Sequence, residues 1–418
     1  ESIAQIASVP ESKRTPQQKQ HLRSHYLKNA SAPHVRLLQS NVESLQADLK
    51  RLQGQGATTM IMQDMPKARA THILYRGQYD QKREQIATGT PAFLPPLNKD
   101  GALNRLALAR WLVNGRHPLT ARVAVNRQWQ RLFGVGMVKS TEEFGVQGDW
   151  PSHPELLDWL AVHFASNGWD TKALLKLIVT SATYRQSSHT TPAQLLHDSE
   201  NRLLARGSRH RLDAEVIRDN ALSVSGLLVE RIGGPSVFPY HPKGLWLELN
   251  NRPNYSRTYK QDTGDKLYRR SLYTYWKRTV PPPSMATFDA PEREFCLVRR
   301  SRTNTPLQAF VMLHDPQFVE AARHLAKHMM NASKKPKEQL EHGFRLTTSR
   351  LPNEKEKTVL SRLFKERLAF YRKEPEAAKT LLSVGESKRQ ENLPEAEHAA
   401  WITVARALLN LSETITKN

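Results

Sequence analysis

The sequence predicts a mainly α protein, with a bundle-like helical body, a small β insertion and a long irregular loop region rich in basic and aromatic residues. Three observations point there. Apolar residues recur at steps of three and four over most of the chain. Glycine and proline crowd into two stretches, around residues 54–101 and 233–253. Helix-start signatures precede several of the apolar runs.

Residues 1–57 read as an N-terminal helical arm. Val35, Leu38, Val42, Leu45, Leu49 and Leu52 alternate steps of three and four, the spacing of a helical seam. The seam runs for fewer than three heptads, which predicts one arm of a helical hairpin rather than a free coiled coil, stopped by Gly54 and Gly56. Residues 58–100 change character, with short apolar runs cut by Gly77, Gly89, Pro91, Pro95 and Pro96; "THILYRG" reads as a strand there. Residues 101–232 return to the helical period. Asn104 caps one helix, a second opens near Thr120, Ser152 and Glu155 form a capping box, and Gly168 ends the helix that follows. Asp170 caps "TKALLKLIVTSATY", and a further helix is expected from Asp213 to Gly233 and Gly234.

In residues 233–304 "YRRSLYTYWKRTV" has strand-like composition and "PPPSMATFDAPERE" reads as extended loop. From 305 to 418 the chain is helical. Thr305, Pro306 and Gln308 make a capping box with proline at the first helical position, and Asp315-Pro316 repeats the cap and proline.

The chain has 62 Lys and Arg against 40 Asp and Glu, a formal charge of +22. That favours an acidic partner such as nucleic acid, an anionic polysaccharide or a charged surface. No run of 18 apolar residues exists to form a transmembrane segment. The single cysteine, Cys296, excludes an internal disulfide, a CxxCH haem attachment and a cysteine-rich zinc site, and its apolar neighbours predict a buried position. None of the 16 histidines stands in an HxH or HExxH spacing, so no metal site is expected. Walker A, GxGxxG and GxSxG patterns are absent.

Two stretches could carry chemistry. Arg299, Arg300 and Arg302, with Asn304, directly precede the helix at Pro306, where unpaired backbone N–H groups favour an anion. The competing reading is an internal salt-bridge network with Asp289, Glu292 and Glu294. Asp289 and Glu292 are also the acidic candidates for catalysis in the 289–304 region. Residues 251–280 hold eight basic residues against two acidic ones: Arg252, Arg257, Lys260, Lys266, Arg269, Arg270, Lys277 and Arg278 against Asp262 and Asp265. Tyr255, Tyr259, Tyr268, Tyr273, Tyr275 and Trp276 are interleaved with them, a mixture suited to an anionic polymer. The competing reading is a strand with aromatics packed inward and arginines reaching outward. Asp213, Glu215 and Asp219 alternate with Arg211 and Arg218, which first-turn carboxylates and intrahelical pairing explain.

The blocks "LARWLVNGRHPLTARVAVNRQWQRLFGVGMV", "FGVQGDWPSHPELLDWLA", "RLDAEVIRDNAL", "GGPSVFPYHPKGLW", "YRRSLYTYWKRTVPPPSMATFDAPERE" and "RRSRTNTPLQAFVMLHDPQFVEAA" resemble the C-terminal domain of large secreted planctomycete proteins, from about Thr58 onward. In that family the domain follows a cytochrome c-type haem domain and a second cytochrome-associated domain. The resemblance implies an extracytoplasmic location (periplasmic or secreted) and an electron-transfer neighbour, in the setting of complex-glycan breakdown. It supplies no catalytic residue. No cofactor is expected in this chain, haem belonging to an upstream domain. The expected function is therefore a module that binds an anionic polysaccharide or docks a redox partner. An enzyme of glycan breakdown or oxidation is the rival; nucleic-acid binding suits the charge but not the resemblance.

Overall fold

The computed structural model describes residues 2–55, 59–65, 69–97, 101–249 and 257–417. Gly56, Arg252 and Tyr255, which the sequence singles out, lie outside the described residues. The chain is mainly α, and its contacts divide it into two compact units, Glu1–Thr88 and Gly89–Asn418. The helical arm and the β segment up to Thr88 fall in the first unit, and the end of the β segment, from Gly89, falls with the three later segments in the second.

In the first unit, α1 (Ile3–Ala7), α2 (Pro16–Asn29) and α3 (Pro33–Gln55) precede an antiparallel pair, β1 (Thr71–Leu74) and β2 (Lys82–Ile86). Thr15 and Gln18 form a reciprocal capping box ahead of Pro16, which explains where α2 starts. α2 and α3 form the expected hairpin, tied by a Lys28–Glu43 ion pair of 3.0 Å. The hairpin does not use the expected seam. Half-buried Val35, Gln39 and Glu43 mark the covered side of α3, whereas Leu38, Val42, Leu45, Leu49 and Leu52 face solvent. The reason lies in α2, whose polar sequence offers only Leu22 and Leu27 as half-buried apolar residues.

The second unit holds α4 (Arg105–Leu112), α5 (Thr120–Phe133), α6 (Pro154–Ser166), α7 (Thr171–Thr180), α8 (Pro192–His197), β3 (His210–Arg211), α9 (Ala214–Val224), α10 (Leu245–Glu248), α11 (Pro283–Thr287), α12 (Pro306–His314), α13 (Pro316–Ala332), α14 (Pro336–Thr348), α15 (Glu354–Lys373), α16 (Pro375–Leu382), α17 (Glu395–Leu409), α18 (Ser412–Ile415) and β4 (Thr416–Lys417). β4 returns antiparallel to β3, His210 opposite Lys417. One core lies among α5, α6 and α7, where Trp129 stacks on Phe133 with ring centroids 4.1 Å apart. The larger core centres on α13 and α17. Both helices bury alanines (321, 322 and 326 on one, 399, 400 and 405 on the other), and such small side chains let helix axes come close. Trp401 stacks on Phe364 at its edge.

Five local expectations change. α11 forms inside "PPPSMATFDAPERE" in place of an extended loop, because proline is tolerated in the first turn of a helix. α6 starts at Pro154 with His153 before it, and no side chain caps it, so the Ser152–Glu155 box does not form. α9 stops at Val224, where Gly226 takes a positive φ of 70°, well before Gly233. "YRRSLYTYWKRTV" forms 3-10 turns and isolated bridges instead of a strand, because its side chains are taken up in different directions by the surrounding loops. Cys296 is exposed, as are Phe295 and Leu297, since residues 291–304 form no regular element that could bury alternate side chains. Among the described residues no helix is long and apolar enough to cross a membrane, and no three His, Cys, Asp or Glu side chains converge as metal ligands.

Candidate functional site: a cationic cleft beside α5

A cleft of about 340 Å³ opens at the C-terminal end of α5 in the second unit. Trp129 and Phe133 form its floor, the turn 134–136 one wall, Ser188, Thr190 and Leu195 another, and the loop 199–210 the third. Arg302 closes it from the segment before α12.

Glycine makes the first wall. Gly134 has φ +85°, and a Cβ there would sit 2.9 Å from His210 Nδ1 and 3.3 Å from Arg302 Nη1. Asn126, fully buried on α5, fixes the end of that turn by exchanging hydrogen bonds with the Val138 backbone at 2.9 and 3.0 Å. Arg202 donates to the Gly136 and Met137 carbonyls at 2.9 and 2.8 Å, joining the first wall to the third. The loop 198–206 is caged by its own polar groups: Asp198 accepts from the Arg202 and Leu203 amides, and Asn201 donates to the Arg206 carbonyl at 2.8 Å.

Arg206 is 8% exposed. Its Nη2 donates to the Asp198 and Ser199 carbonyls at 2.9 and 3.0 Å, while its Nη1 has no protein partner. His210 Nδ1 is likewise buried without a partner. Burial, with Arg302 and Lys417 nearby, pushes the His210 imidazole down to about 4, so it stays neutral at physiological pH. Lys417 donates to Ser208 Oγ at 3.1 Å and sits 4.4 Å from the centre of the Tyr184 ring. The lining therefore carries Arg202, Arg206, Arg209 and Arg302 against Glu200 alone, and Glu200 is held at 2.8 Å by Lys139. A buried guanidinium N–H without an acceptor is costly unless something fills that position. Donors, hydroxyls and excess positive charge suit a small polar anion.

The residues expected at an anion clamp separate. Arg302 reaches the cleft and donates to the Gly134 carbonyl at 3.0 Å. Arg300 instead grips Glu215 of α9 at 2.6 and 3.2 Å, and Arg299 lies 3.4 Å from Glu142. Asn304 is exposed, and the start of α12 is closed by its own capping box. Asp289 pairs with Arg211 and accepts from the Thr303 amide at 2.8 Å, with a positive φ of 60°. Glu292 is exposed and offers its backbone carbonyl to Trp276 Nε1 at 3.3 Å.

The aromatic and basic stretch packs largely against its own surroundings, although Arg257 Nε and Arg269 Nε and Nη1 are buried there without a partner. Arg269 is fully buried, donates to the Arg231 and Gly233 carbonyls at 2.7 and 2.6 Å, and lies 3.8 Å from the centre of the Tyr273 ring. Tyr275 stacks on Phe238 at 4.6 Å, Lys277 covers Trp246 at 4.3 Å and Arg278 meets Glu294 at 3.3 Å. Arg270 is exposed, 3.7 Å from Asp219. Arg206, Arg209 and His210 escaped the sequence reading, although "RLLARGSRHR" sets four arginines around one glycine.

A second polar cluster is structural. Glu320, 1% exposed on α13, accepts from Tyr240 Oη at 2.8 Å, Tyr268 Oη at 2.9 Å, the Ser387 amide at 2.7 Å and Arg323 at 3.3 Å. His324 Nε2 lies 2.7 Å from Ser387 Oγ, but that hydroxyl is 2.5 Å from Glu320, which takes its proton as a hydrogen bond and leaves no nucleophile for the imidazole to activate.

Fold and cleft together define a mainly α protein with a basic, partly unsatisfied cleft. The model of the PSD1 family, proteins of unknown function (DUF1553), matches residues 104–364, more than half of the chain and every residue lining the cleft. The chain belongs to this family. No curated protein and no solved structure matches it.

Proposed function

We propose that the chain is an extracytoplasmic module that binds an anionic glycan, with the acidic group of one sugar seated in the cleft beside α5. The observation that carries this reading is the unpartnered Nη1 of Arg206, buried at a cleft lined by three further arginines. A carboxylate or sulfate would satisfy that donor, and a sugar hydroxyl would satisfy His210 Nδ1. The size of the cleft is that of a small-molecule pocket and suits a sugar residue better than a nucleic-acid duplex. The resemblance adds the setting, a secreted planctomycete protein whose haem domain lies upstream, so the module would hold acidic glycan near a redox centre.

Calorimetric titration with a uronic-acid oligosaccharide and a neutral oligosaccharide of equal length tests it. The acidic sugar should bind, weaken with added salt and weaken about tenfold in Arg302→Gln and in Arg209→Gln, with melting temperature unchanged. Equal binding of acidic and neutral sugars, or no loss in either variant, would dispose of the proposal.

A further inference from the structure

His210 stands where a proton is least welcome. Its Nδ1 is buried without a partner, and a histidinium would need an acceptor there. Both Nδ1 and Arg302 Nη1 come within 3.3 Å of the point that a Cβ on Gly134 would occupy, so the ring and the guanidinium meet across that glycine. On the neighbouring strand, Lys417 is the residue directly opposite His210. The charged groups around the ring are therefore mostly cations. α5 ends there in Trp129 and Phe133, the segment before α12 brings Arg302, β4 brings Lys417, and the loop 199–210 brings Arg206, Arg209 and Glu200. Glu200 is held by Lys139, and Arg211, next along β3, is engaged by Asp289. Burial, then Arg302 and Lys417, keep the ring neutral down to about 4. An anion seated against Arg206 Nη1 reverses this. It offsets the two cations and sets oxygen acceptors in the same cleft, where a protonated Nδ1 otherwise lacks one.

We infer that the cleft takes up its anion together with one proton, carried on the imidazole of His210, so that binding tightens as pH falls. This rests on the reading of the cleft as an anion site and gives that site its regulation. The direction follows from linkage. At high pH neither the empty nor the filled cleft holds the proton, and affinity is constant. As pH falls through the range in which only the filled cleft holds it, affinity rises; below about 4 the empty cleft is protonated too and the gain levels off. A ring brought most of the way back to its ordinary value of about 6.5 makes binding about tenfold tighter at pH 5 than at pH 7.5. Acid thus loads the module, and neutral pH loosens its hold.

Calorimetry on the full chain with a uronic-acid oligosaccharide at pH 7.5 and pH 5, in two buffers of different ionisation enthalpy, tests it; the sugar carboxylates stay largely ionised at both. Affinity should rise about tenfold at the lower pH, with uptake of close to one proton per site. His210→Gln should bind equally at the two pH values, whatever its affinity, and take up no proton. Glu200, whose own protonation would also favour an anion, is unchanged in that variant and so cannot supply the difference. In the parent chain the titration midpoint of the His210 ring, followed by NMR, should rise by about one pH unit or more when the cleft is filled, a reading that needs no substitution. No binding at either pH would remove the anion-site reading and this inference with it. Parent binding that is equal at the two pH values, a midpoint that stays in place on filling, or a pH dependence as large in His210→Gln would overturn the inference alone.

Discussion

Arg300 gives both terminal nitrogens to Glu215, at 2.6 and 3.2 Å, and lies 3.7 Å from Asp213. Its charge is therefore taken up by the first turn of α9. Replacing it with glutamate would set three carboxylates together in a half-buried place, where repulsion and lost hydrogen bonds should cost about 3 kcal/mol. Arg300→Gln keeps a donor and should cost about 1 kcal/mol. Denaturant melts of the two variants check this; equal stability of Arg300→Glu and the parent would show that the pair contributes nothing. The sequence marks this arginine correctly as a partner of carboxylates but points to the wrong ones. Asp289, Glu292 and Glu294 are its neighbours along the chain, whereas α9 reaches it only through the tertiary fold. Cys296 fails for a similar reason: apolar neighbours in sequence imply burial only if a regular element turns them toward a core.

At the scale of elements, helix starts are the most legible features, because a cap is a local hydrogen bond. Asn104, Asp170, Thr305 and Asp315 each stand at the helix boundary that their side chains predict. The long irregular region could not be read the same way, since Tyr240 and Tyr268 take their places from Glu320 on α13, 80 and 52 residues away. That glutamate also holds the loop after α16, and Gly385 shows how tightly. A Cβ at Gly385 would lie 2.3 Å from Glu320 Cδ, on a backbone with φ +91°. Gly385→Ala should therefore expel the loop from Glu320 and cost about 3 kcal/mol, with protease sensitivity rising around residues 383–390. Gly264, with φ +60° and nothing within 4 Å, isolates the backbone term, and Gly264→Ala should cost only about 1 kcal/mol. Similar losses in the two variants would mean that crowding against Glu320 is not what fixes the loop.

Over the whole molecule, the high positive charge combines with buried histidines to set the response to acid. His210, His324 and His398 are each pushed down to about 4, chiefly by burial; cationic neighbours add to this, Arg302 at His210 and Arg323 at both of the others. His398 is 1% exposed and its Nε2 lies 3.1 Å from the Arg323 carbonyl, which it meets as a donor while remaining neutral. In the unfolded chain these rings titrate near 6.5. Above that pH neither state holds the extra protons, so stability does not depend on these groups. As pH falls from about 6.5 to about 4 the unfolded chain binds protons that the fold refuses, and stability declines; below about 4 their contribution levels off. For a histidine as buried as His398 the full loss is on the order of 3 kcal/mol. Protonation of carboxylates near the lower end of the same range raises a charge that is already +22 and adds self-repulsion. Urea unfolding should therefore show a free energy that falls steadily between pH 7 and pH 4.5, and His398→Gln, which cannot titrate, should make that fall shallower even if it lowers stability at neutral pH. A profile just as steep in His398→Gln would place the acid sensitivity in the carboxylates and the net charge instead of the buried ring.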